Sequence, residues 1–126
     1  MKKLFLLLSI SLVYISCEKV IPFEGDVNIP KLVINSIFQS DSTFKVHVSS
    51  SRSVIDTASF QNIEDAVVTI KDDNGSIIET LNYVENGFYI GQTFPQENQT
   101  YSLQVTHPNY TNITSSDSLP LSLIHI

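Results

Sequence analysis

Residues 65–92 read DAVVTIKDDNGSIIETLNYVENGFYIGQ, and they decide the fold. In 66–72, Ala66, Val68 and Ile70 alternate with Val67, Thr69 and Lys71, the period of two that marks a strand with one buried face. Asp73-Asn74-Gly75 then interrupts the pattern before SIIETLNYV (76–84), and Asn86-Gly87 interrupts it again before FYIGQTF (88–94). Asn-Gly between apolar runs is a strong hairpin signal, because a two-residue primed turn needs positive φ at both central positions. Asn74 and Gly75 are therefore both expected in the left-handed region.

The same period extends outward. KLVINSIF (31–38) is a strand candidate, and TFKVHVSS (43–50) sets Phe44, Val46 and Val48 on one face and Lys45, His47 and Ser49 on the other. TYSLQVTH (100–107) points Tyr101, Leu103 and Val105 inward, and YTNIT (110–114) is a candidate seventh strand. Residues 53–65 are the ambiguous loop, with room for one helical turn. Short strands separated by turn residues every eight to twelve positions, without an amphipathic helix, predict an all-β antiparallel β-sandwich. Both immunoglobulin-like and transthyretin-like connectivities fit that spacing.

The N-terminus reads differently. Met1-Lys2-Lys3 is a short cationic start, Leu4 to Ile15 is mostly apolar, and Ser16 is a small residue before Cys17. The apolar run is shorter than the roughly 20 residues that a membrane-spanning helix needs, so export followed by cleavage is expected. Cys17 is the single cysteine, which excludes an internal disulfide. The expected organisation is a signal peptide at 1–16, a lipidated tether at 17–30, a β-sandwich at 31–120 and an apolar tail at 121–126. That tail, LSLIHI, looks like a translated sequencing adapter, so the natural chain is expected to continue past Pro120. Without residues 1–16 the chain has five Lys and Arg against thirteen Asp and Glu, a formal charge of −8. Such a surface lacks the basic patch that nucleic acid requires.

The stretch around Cys17 resembles the lipobox of bacterial lipoproteins, in which the cysteine thiol is alkylated by a diacylglyceryl group and becomes the acylated first residue. Several acyl chains, at about 0.8 kcal/mol per buried methylene, hold a protein on a membrane where one chain does not. The order of motifs that follows, KLVINSIF, DAVVTIKDDNG, NGFYIGQ and TYSLQV, resembles the Bacteroidetes envelope lipoproteins grouped as domain of unknown function 4249. That resemblance covers Cys17 to about Pro120 and implies a protein of the outer membrane, encoded beside TonB-dependent transporters, with further β-rich sequence beyond the part seen here. It carries over no catalytic residue.

No nucleophile, base or ligand set stands at catalytic or metal-binding spacing, so neither an enzyme nor a metal or cofactor site is expected. His47 and His107 read as solvent-facing. Asp72-Asp73-Asn74-Gly75 offers clustered oxygens but lacks the later Glu of a calcium loop, and the hairpin explains it. Tyr83, Phe88, Tyr89 and Tyr101 could stack on a sugar, yet their alternating positions suit a core and cross-strand pairs. Asn98, Asn109 and Asn112 head sequons that, in a bacterium, mark polar loops. Asp41-Ser42-Thr43, Asp56-Thr57-Ala58 and Asp117-Ser118-Leu119 resemble the signal for O-glycosylation of exported Bacteroidetes proteins. Ser42, Thr57 and Ser118 are thus candidate glycan sites in loops or at their borders. Three functions remain: a lipid-anchored accessory or binding module, a fimbrial subunit that exchanges strands, and a mount for an enzyme whose catalytic half lies after Pro120.

Overall fold

A computed structural model describes residues 29–53 and 59–121. It contains β1 (Leu32–Ser36), β2 (Lys45–Ser50), β3 (Val67–Lys71), β4 (Ile77–Thr80), β5 (Asn82–Glu85), β6 (Phe88–Ile90), β7 (Gln99–Thr106) and β8 (Ile113–Leu119). They form two antiparallel sheets, sheet A in the order β1-β2-β6-β5 and sheet B in the order β4-β3-β7-β8. Side chains from both sheets meet in one apolar cluster, so the architecture is all-β and sandwich-like.

The period-two strands bury the residues their pattern selects. Phe44, Val46, Val48, Val68, Ile70 and Val105 have no exposed surface, and Tyr101 and Leu103 are nearly as deep. Phe38, Phe44 and Tyr101 meet edge to face, with ring centroids 5.1 to 6.1 Å apart. Such contacts add about 0.5–1.5 kcal/mol each beyond burial.

Three elements depart from expectation. Residues 76–84 form two strands in different sheets, because Leu81 turns into the core and donates its N–H to Val68 O at 2.8 Å. The chain thereby crosses from sheet B to sheet A and joins the two on the β4–β5 side. The proposed strand at 110–114 begins later and runs to Leu119, along residues whose Ser, Thr and Asp composition resembles a loop. Hydrogen bonding to β7 over seven register pairs holds them extended. Finally, only Gly75 of the first Asn-Gly has positive φ (82°), whereas Asn86 and Gly87 both do, at 51° and 79°. The first turn is therefore a three-residue loop closed by Gly75 N–H to Asp72 O and Asp72 N–H to Ser76 O, and the second is the primed two-residue turn. No described residue in 59–65 is helical.

Candidate functional site

On the side opposite Leu81 no described segment joins the sheets, and among the described strands β1 and β8 end them as edges. Between these edges lies a groove of about 250 Å³. Its floor is Ile34, Phe38, Leu103 and Ile113, and its rim is Ser36, Ser115 and Asp117. Alternation builds it: Leu103 pairs with Ser115 and Val105 with Ile113, which sends those β8 side chains toward the interior. Ile34, Phe38 and Ile113 are only partly buried, so the core continues to the surface there. The volume is below that of most small-molecule cavities, which suits the side chains of an extended segment lying along an edge.

A second cluster occupies the corner where β7 ends. His107 is buried, and its Nε2 lies 2.9 Å from Asp65 Oδ1. Nδ1 accepts the Asn109 N–H at 3.1 Å, so the neutral ring carries its proton on Nε2 and donates it to Asp65. Tyr110 packs edge-on at 5.0 Å. This corrects the reading of His107 as solvent-facing; its partner lies 42 residues away and sequence spacing cannot reveal it. His47 is half-buried on the outer face of sheet A, 3.2 Å from Asn62 Oδ1 and 4.8 Å from the Phe88 ring centroid.

Tyr89 organises the chain leading to this corner. Its hydroxyl donates to Ile63 O and accepts from Ala66 N–H, both at 3.0 Å, and burial pushes its ionisation upward. Burial and a hydrogen bond with Glu64 do the same for Tyr83. The four aromatic residues thus separate: Tyr89 and Tyr101 lie in the core, Phe88 on an outer sheet face and Tyr83 at the β5 edge.

The acidic turn has its own account. Asp72 Oδ1 accepts Asn74 N–H at 3.0 Å and Ser76 N–H at 2.7 Å, so this carboxylate secures the hairpin. Among the described residues no group of three or more His, Cys, Asp or Glu is placed to hold a metal. Ser42 is exposed in the β1–β2 turn. Ser118 is exposed within β8, not in a loop, and its N–H donates to Asp117 Oδ1 at 2.8 Å. Thr57 and Cys17, with the expected signal peptide (1–16) and most of the expected tether and tail, lie outside the described residues. No described helix is long and apolar enough to cross a membrane.

Among the described residues these features define an all-β, two-sheet domain with an open edge groove and a structural histidine corner. Its family follows from the sequence match over residues 18–125: the chain belongs to the family described as Domain of unknown function (DUF4249). No curated protein matches it, and no solved structure does.

Proposed function

We propose that this protein is a lipid-anchored module of the bacterial outer membrane that binds a protein partner along its open edge. Cys17 carries the lipid, and the partner is a TonB-dependent transporter or a component working with one. The groove between β1 and β8 carries this reading. It combines two strand edges that pair with no further described strand and an apolar floor, the combination by which an extended segment adds to a sheet. The lipobox supports the anchor, and the family resemblance supplies the transporter. The domain acts by binding and not by catalysis.

The sandwich is of the immunoglobulin-like type in this reading. Its support is the strand order, which matches the ABED and GFCC′ arrangement when β1 to β8 are taken in sequence. Tyr101 adds to it: near the start of β7, its hydroxyl accepts the Gln96 N–H at 2.8 Å, as in a tyrosine corner.

Deletion of the gene in its native host is expected to impair uptake of at least one nutrient. The wild-type chain should restore growth, and Ser115→Arg, which fills the groove from an exposed position, should not. Unaltered growth of the deletion strain across substrates counts against the proposal. A fimbrial role is the second reading, because the same edges would accept a strand from another copy; ladders on unheated gels would favour it.

A further inference from the structure

The outer face of sheet A has a composition that the edge groove does not explain. Pairing places Lys31, Val33, Asn35 and Ile37 of the β1 segment beside Lys45, His47 and Ser49 of β2, with Phe88 and Ile90 of β6 next to them. Val33 and Ile37 are 45% and 71% exposed, and Lys45 Nζ lies 4.4 Å above the Phe88 ring centroid. Asn35, Ile37, Lys45, His47 and Phe88 line a shallow depression in this face. Just past β2, Arg52 lies over the Phe60 ring, itself 69% exposed, on the segment whose Asn62 pairs with Ser49.

Charge separates this face from the rest of the molecule. Among the described residues, Lys31, Lys45 and Arg52 belong to sheet A or its immediate continuation, and Lys71 alone lies on sheet B. Nine carboxylates are described: Glu85 is the one on the strands of sheet A, at the β5 corner, Asp41 sits in the β1–β2 turn, and Glu64 and Asp65 follow Asn62 beyond its bridge to Ser49. The outer face of sheet B exposes Val67 and Ile77, but Lys71 there is followed at once by Asp72 and Asp73.

We propose that the outer face of sheet A lies against an anionic lipid surface. Lys31, Lys45 and Arg52 meet headgroup phosphates, while Val33, Ile37 and Phe60 enter the headgroup layer. Five of the nine described carboxylates, Asp72, Asp73, Glu79, Glu97 and Asp117, lie on or beside the strands of sheet B, so charge complementarity favours the face of sheet A. The position of the anchor agrees: Lys31 follows Cys17 by 14 residues and leads directly into β1, the edge strand of this sheet. The orientation rests on the proposed lipidation, but the attraction of the face for anionic lipid does not. Each basic residue at such a surface is worth about fivefold in affinity, and salt screens it.

The test uses the full chain purified from membranes and reconstituted into vesicles. Lysines are modified with an impermeant amine reagent, and each site is quantified by peptide mass. On vesicles of roughly one-third phosphatidylglycerol in phosphatidylcholine, Lys31 and Lys45 should react at least about fivefold more slowly than in detergent, relative to Lys71. The protection should vanish on pure phosphatidylcholine and at ~0.5 M salt. Lys31:Lys71 and Lys45:Lys71 ratios that are the same in detergent and on both vesicle types overturn the proposal. The mass of the Cys17 peptide reports lipidation separately. An unlipidated Cys17 sinks the anchor while leaving the labelling comparison decisive, because the same vesicles are then added to the soluble chain.

Discussion

The molecule contains Asn-Gly twice, and the two copies behave differently. Asn74-Gly75 projects from the end of the β3–β4 hairpin, and a Cβ on Gly75 would have nothing within 4 Å. Asn86-Gly87 folds back over β2, and a Cβ on Gly87 would lie 2.6 Å from Val48 O. Their neighbours account for the difference. Asp72 holds the first turn through its own carboxylate and leaves Asn74 outside the left-handed region. At the second, Gly87 O accepts Val48 N–H at 2.8 Å, so the turn is part of the sheet. One dipeptide thus serves as a surface reversal and as a packing element.

The largest effect should come from breaking the packed turn. Gly87→Ala combines about 1–2 kcal/mol for a left-handed alanine with about 1–3 kcal/mol for displacing the β2 backbone. A loss of about 2–5 kcal/mol in denaturant unfolding is expected. Gly87→Asn sharpens the point: asparagine tolerates the φ and should recover most of that part, but it keeps the collision with Val48 O and should still lose about 1–3 kcal/mol.

Next is Tyr89→Phe, which tests what the second hairpin carries inward. The buried Ala66 N–H and Ile63 O lose their partner together, at a cost of about 2 kcal/mol. Hydrogen exchange at Ala66 should accelerate well beyond that at Val105. Equal exchange at both amides would mean that the hydroxyl does not hold the 63–66 segment.

The surface turn should respond more weakly. Asp72→Ala removes the acceptor for two exposed amides and should cost about 1 kcal/mol, whereas Asp72→Asn retains an oxygen and should be close to neutral. Gly75→Ala should cost about 1 kcal/mol through φ alone, and Gly75→Asn should recover most of it. If Gly75→Asn and Gly87→Asn were equally damaging, the contrast between the turns would fail.

The two hairpins also show what was legible in the sequence. Period-two runs such as 43–50 and 100–107 were readable because each has one buried face, and Val46, Val48, Leu103 and Val105 occupy it. The split of 76–84 was not. Ile77, Ile78, Leu81 and Val84 follow no single period, and the crossing depends on Leu81 finding Val68 across space. β8 was obscured because an exposed edge strand need not alternate. Neither the His107–Asp65 contact nor the groove could be read, since each joins residues far apart in the chain. The first needed a partner 42 positions away, and the second the pairing of Leu103 with Ser115 and the edge position of β1.

The smallest effect concerns Glu79, through which the first hairpin meets the strand of the second. Gly91 leaves room for its carboxylate, because a Cβ there would lie 2.6 Å from Oε2. Burial opposes the charge, but the Gln92 N–H at 2.6 Å and the Thr93 N–H at 3.0 Å outweigh it, and the acid is held below its ordinary value. A carboxylate whose folded pKa is depressed contributes its stability above the unfolded value of about 4.3, and loses it as pH falls through the folded one. The site is largely solvated, so the contribution should be under about 1 kcal/mol. Glu79→Gln should lower the denaturant midpoint at pH 7, and the gap to wild type should close as acid protonates Glu79. A gap that persists unchanged below pH ~3 would assign the loss to the shape of the side chain and not to its charge.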